Sequence, residues 1–107
     1  MTRNVAMEIA TEAQQALARV YGKRLRGVRL YGSWARSEGR EDSDVDIAVV
    51  LDSITNRYTE HQRLSMIQGD LSLKHNTVVM LLPVEEADIK AGRYALARSI
   101  SREGVLL

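Results

Sequence analysis

Asp44 and Asp46 stand two residues apart where an apolar run, Val45 to Leu51, begins. Side chains on a strand alternate between faces, so both carboxylates point one way while Val45 and Ile47 point into a core. Two like charges held that close repel, and a divalent cation between them removes the conflict. Magnesium suits the place, because it takes oxygen ligands from one or two carboxylates together with phosphate oxygens. Upstream, Gly32-Ser33 lies between a short strand and a helical turn. Glycine lets a ligand approach the backbone closely. A serine at a helix start offers a hydroxyl and an N–H where anions are stabilised, which suits a triphosphate. Arg36, one turn later, can bring a guanidinium to the same phosphates. Singly, each feature is ordinary: solvated aspartates at a strand end, a turn glycine with a serine cap, a surface arginine. Together they describe a site for a nucleoside triphosphate and magnesium. Trp34, the only tryptophan, reads as a packing residue.

These residues need elements to hold them. Asn4 to Tyr21 reads as a helix, with Val5, Ile9, Ala13, Ala16, Leu17 and Val20 on one face and Gly22 as its stop. Val28 to Tyr31 reads as a short strand broken by Gly32, Ser33 to Ser37 as a short helical turn, and Gly39 to Ser43 as a polar loop. Val45 to Leu51 is β-branched and aliphatic enough to be a buried strand. Arg57 to Leu73 reads as a helix with Leu64, Ile67 and Leu71 in register. Thr77 to Leu82 reads as a second buried strand closed by Pro83. Glu85 to Arg102 reads as one or two helices broken near Gly92, and Val105 to Leu107 as a short strand or docked tail. Met66 and Met80 read as core filler, and Tyr58 and Tyr94 as packing residues, with Tyr94 also a candidate for a partner contact. The order implies an α/β (α+β) fold, a small mixed sheet packed with helices, whose long crossovers favour some parallel pairing.

Length and composition narrow the classes further. The 107 residues imply one domain, 1–107, with no room for a second, acceptor-binding one. Fifteen basic and fourteen acidic residues give a net charge of +1, which speaks against non-specific nucleic-acid binding. The basic run Lys23, Arg24, Arg26 and Arg29 reads as a solvated loop and strand edge. With no cysteine, disulfides and thiolate metal sites are excluded, and two histidines, His61 and His75, are too few for a histidine-built site. They read as surface residues. No apolar run spans a membrane and no signal segment opens the chain, so the expected location is cytoplasmic.

The segment Gly32-Ser33, ten residues, then Asp44-Val45-Asp46 resembles the signature of minimal nucleotidyltransferases of the DNA polymerase beta superfamily. Ala35-Arg36, Ser43 and the closing Arg102-Glu103-Gly104-Val105 also resemble the family's form, so the likeness spans nearly the whole chain. The resemblance implies a nucleotidyltransferase fold and transfer of a nucleoside monophosphate with release of pyrophosphate, using a two-ion magnesium site. It implies that Gly32 and Ser33 bind the nucleotide, with Arg36 a weaker candidate, and that Asp44 and Asp46 are the catalytic metal ligands. ATP is the implied co-substrate. Two departures stand out. Ser37 replaces a glycine common after the arginine. The strand Thr77 to Leu82 lacks the acid that completes a metal site in active relatives. Glu85 and Glu86 follow Pro83, too late to reach the site, and Asp70 falls in a helix. Small members of the family resemble antitoxins, whose partner is an all-helical HEPN-domain ribonuclease toxin in a hetero-oligomer. The resemblance thus implies an antitoxin that transfers a nucleoside monophosphate, AMP by preference, to such a toxin. The alternative is a catalytically weak antitoxin that neutralises the toxin by binding alone.

Overall fold

The computed structural model describes residues 1–107. Helix α1, Arg3–Tyr21, starts at Thr2, whose hydroxyl accepts from the Val5 N–H at 3.2 Å, and stops at Gly22, with φ 56°. Its buried face is Ala6, Ile9, Ala10, Ala13, Leu17 and Tyr21. The expected stripe is therefore rotated: Val5 and Ala16 are only partly buried and Val20 is 51% exposed. Two apolar arcs overlap on this helix, and the one carrying three alanines lets its backbone come closest to the sheet.

After a 3-10 turn, Gly22–Arg24, strand β1 (Leu25–Tyr31) pairs antiparallel with β2 (Val45–Leu51). Helix α2, Arg57–His75, crosses over and delivers β3, Val79–Glu85, parallel to β2. Helices α3 (Glu86–Ala91) and α4 (Ala95–Glu103) follow, parted at Gly92, and β4 (Val105–Leu106) returns antiparallel to β1. The sheet order is β3-β2-β1-β4, a mixed sheet of the expected class. Both faces are covered. Val45, Ile47, Val49 and Leu51 join the core under α1 and α2, while Ala48 and Val50 join Ile89, Ala97 and Ile100 under α3 and α4. Asp46 belongs to the second face by alternation, at its open end.

Strand β3 departs from expectation. It starts at Val79 and runs through Pro83 instead of ending there. Its position at the sheet edge explains this. The N–H groups of Val79 and Leu81 face away from β2 and donate to Ser72 Oγ at 3.0 Å and Gln68 Oε1 at 2.9 Å. Position 83 is the next in that alternation, so a residue without an N–H costs the ladder nothing. Side chains of α2 thus close an edge that would otherwise invite pairing. The methionine readings are also corrected: Met66 is 75% exposed and Met80 is 42% exposed. Met66 lies opposite the arc of Glu60, Leu64 and Leu71 that α2 buries, and Met80 lies on the open face of an edge strand. Tyr58 is exposed as well, whereas Tyr94 packs on the α3–α4 core. Within the basic run, Arg24 is only partly exposed: it pairs with Asp52 and with buried Glu60. Burial raises the Glu60 pKa, but hydrogen bonds from Arg24 and Tyr21 outweigh it and hold the carboxyl below its ordinary value. No helix is long and apolar enough to cross a membrane.

Candidate active site

The end of β1 and the start of β2 meet where Tyr31 pairs with Asp46. Gly32 follows with φ 77°, in the left-handed region. A Cβ built on Gly32 would stand 2.4 Å from Asp46 Oδ2. Only a glycine lets the chain turn here and lets the carboxylate lie against its backbone. The turn beyond is held by Arg36 N–H donating to the Gly32 carbonyl at 3.3 Å and Glu38 N–H donating to the Ser33 carbonyl at 2.8 Å. It is the single helical turn expected, closed at its end by the Ser37 N–H donating to the Trp34 carbonyl at 3.3 Å. Ser37 stops it, with φ 60°. The departure from glycine at this position therefore falls on a backbone that prefers glycine.

The ten-residue spacing has a structural cause. Trp34 is 4% exposed and its indole N–H donates to the Ser43 carbonyl at 3.4 Å. Gly39 lies so close over the ring that a Cβ there would be 2.1 Å from it. Ser43 closes the loop, its hydroxyl accepting from the Arg40 N–H at 2.9 Å. The loop wraps the indole and returns the chain at Asp44, so the packing reading of Trp34 holds.

Asp44 is exposed, and Asp46 is partly buried. Burial first, and then the nearby Asp44 charge, raise the Asp46 pKa above its ordinary value, and Arg36 partly opposes them. Burial, with Asp46 as the next cause, also lifts the Tyr31 phenol to about 12. The pair thus carries a charge conflict that a divalent cation would relieve, so the donor set fits at least one such ion. Arg36 stands between carboxylates: its Nε donates to Glu38 at 3.0 Å and its Nη1 to Glu103 at 3.4 Å.

The structure brings Gly32, Arg36 and Asp46 together, with Ser33 and Asp44 as their chain neighbours. No third acid joins them, and no cluster of three metal-ligating side chains occurs in the molecule. The ladder partner of Asp46 on β3 is Met80. Glu85 points elsewhere and accepts from the Ile54 N–H at 2.9 Å, beyond the far end of β2. Glu86 faces Arg26 and Lys90. Asp70 and His61 are exposed on α2, and His75 lies beside Glu12. A polar hollow of about 330 Å³ near Arg24, Asn56 and Glu60 is at the opposite end of the sheet, and its charges are already paired. Sequence reasoning missed Glu103 as a partner of Arg36, because 67 residues separate them.

The sequence matches the family described as polymerase beta, nucleotidyltransferase over residues 12–107. Comparison with curated proteins gives no match. Among solved structures, one described as a minimal nucleotidyltransferase is 25% identical, with a TM-score of 0.64 and coverage of 100% of this chain and 97% of that one. A toxin–antitoxin structure with AMP-PNP is 18% identical, with a TM-score of 0.62 over 89% of this chain and 69% of that one. A mutant of the toxin–antitoxin MntA-HpeT is 16% identical, with a TM-score of 0.59 over 99% and 72%.

Proposed function

We propose, from the premise that this chain belongs to the polymerase beta nucleotidyltransferase family, that it is an antitoxin-type enzyme moving a nucleoside monophosphate from a triphosphate to a toxin partner. One observation carries the reading: the turn suited to phosphates and the carboxylate suited to metal are in contact, Gly32 backbone against Asp46. The Gly32-Ser33 turn would cradle the phosphates, with Arg36 neutralising their charge. Asp44 and Asp46 would hold magnesium, which when bound offsets charge on the phosphate oxygens. The acceptor hydroxyl then attacks the α-phosphorus. The bond to the α–β bridging oxygen breaks, pyrophosphate leaves, and the hydroxyl proton passes to water. No third acid joins Asp44 and Asp46 to take that proton, so acceleration would rest on positioning and electrostatics.

The near-neutral net charge speaks against non-specific RNA binding, which favours a protein acceptor. The likeness in fold to toxin–antitoxin structures, one of them holding AMP-PNP, supports a toxin as partner and ATP as donor. A HEPN-domain ribonuclease is the partner class we propose. Pyrophosphate release from ATP and magnesium, dependent on the added toxin and lost in Asp46→Asn, is the expected result. Release that does not need Asp46 would refute the assignment. A second reading is favoured by Met80 beside Asp46: neutralisation by binding, with little turnover. It predicts a toxin complex that Asp44→Asn and Asp46→Asn leave intact and inhibited without ATP.

A further inference from the structure

We infer that Met80 occupies the place of a third cation ligand and limits this site to one divalent ion. The inference rests on the metal reading of Asp44 and Asp46. It follows from register. Strand β3 runs parallel to β2 with Asp46 opposite Met80 and Ala48 opposite Leu82. Residues directly paired across a ladder share a face. The burial pattern agrees, since Val79 and Leu81 enter the core under α1 and α2 while Leu82 and Val84 lie on the α3–α4 face. Met80 therefore projects on the Asp46 side and is 42% exposed, free to meet whatever lies over that carboxylate. The Val45 N–H donates to the Val78 carbonyl at 2.8 Å, which holds the start of β3 beside Asp44 and Asp46.

The chemistry of the side chain sets the consequence. A thioether is a soft, uncharged donor, and magnesium takes hard oxygen donors. Two carboxylates and the phosphates of a nucleotide suffice for one ion. A second ion on the acceptor side would need another anionic oxygen from the protein, and the β3 place nearest Asp46 supplies none. An acid at position 80 would supply it without disturbing the core, because the side chain is already partly in solvent.

The test is Mn²⁺ binding to the full chain without nucleotide, followed by the resonance signal of free Mn²⁺, for the parent, Asp46→Asn, Met80→Asp and Met80→Asn. The parent should bind one ion, and Asp46→Asn should abolish that binding. Met80→Asp should tighten binding about tenfold or add a second ion, because ligand charge governs affinity at such sites. Met80→Asn should do neither. A parent that binds two ions, or a Met80→Asp protein that matches the parent in affinity and number, overturns the inference while leaving the metal pair intact. Binding that survives Asp46→Asn overturns the metal reading itself, and the inference with it. Circular dichroism of each variant separates these outcomes from misfolding.

Discussion

Asp46 works under a penalty. Partly buried against Gly32 and near Asp44, it sits in a place that favours its neutral form. Its folded pKa lies above the unfolded value, so the cost is absent in acid and fully felt once pH exceeds the raised pKa. Asp46→Asn should therefore raise thermal stability at neutral pH without metal. The gain should be under about 1 kcal/mol, because the carboxylate is only partly screened from water. It should shrink as pH falls through the raised pKa. Magnesium should stabilise the parent and not the variant. A variant less stable than the parent at pH 7 in chelator would mean that Asp46 is held by favourable contacts rather than kept strained for a ligand. Met80 is the complementary case at this scale. Nothing local in the sequence marks it as a site residue, since a methionine in an apolar run reads as core until the register of β3 on β2 is known.

Elements decide where those residues point. The turn after β1 ends at Ser37 with a positive φ, a conformation costly for any residue with a Cβ. Ser37→Gly should stabilise the fold by about 0.5–1 kcal/mol in denaturant titration, the backbone gain exceeding the added freedom of the unfolded chain. A loss of stability would show that the Ser37 side chain contributes more than its backbone costs. Helix α4 acts on the same turn through its last residue. Glu103 is followed by Gly104, where a Cβ would strike the Ile100 carbonyl at 2.3 Å, so the helix end and β4 are tightly joined. The Glu103–Arg36 pair should hold Arg36 beside the Gly32-Ser33 turn proposed to take the phosphates. Glu103→Ala should weaken triphosphate binding by a factor of about three, the scale of an exposed ion pair. The same change in an Arg36→Ala background should do nothing. Equal effects in both backgrounds would show that Glu103 does not act through Arg36. Helix and strand existence was legible from periodicity, and β2 was legible to the residue because its β-branched and aliphatic residues run almost without a break from Val45 to Leu51. The arc of α1 that would be buried was not, because two apolar arcs compete and the choice is made by how closely alanines approach the sheet. Nor was the length of β3, because a proline ends a central strand and not an edge one.

Across the whole molecule, the residues of the candidate site were easy to group because they are close in sequence: Gly32 to Asp44 is one loop wrapped on Trp34 between two antiparallel strands, and Asp46 follows at the start of β2. What lay beyond the motif was not legible, since Glu103 and Met80 reach it through α4 and through the crossover that carries β3 beside β2. Both faces of the sheet are covered, and the acid pair lies at the open end of one of them. On the proposed reading an acceptor would approach from outside, and the net charge of +1 gives no general attraction for nucleic acid. The most direct test of the central claim is the intact mass of the proposed toxin partner after incubation with this chain, ATP and magnesium. The account predicts an increase by whole adenylyl units that vanishes with Asp46→Asn. An unchanged mass, in a complex that nonetheless silences the toxin, would contradict transfer and leave an antitoxin that acts by binding.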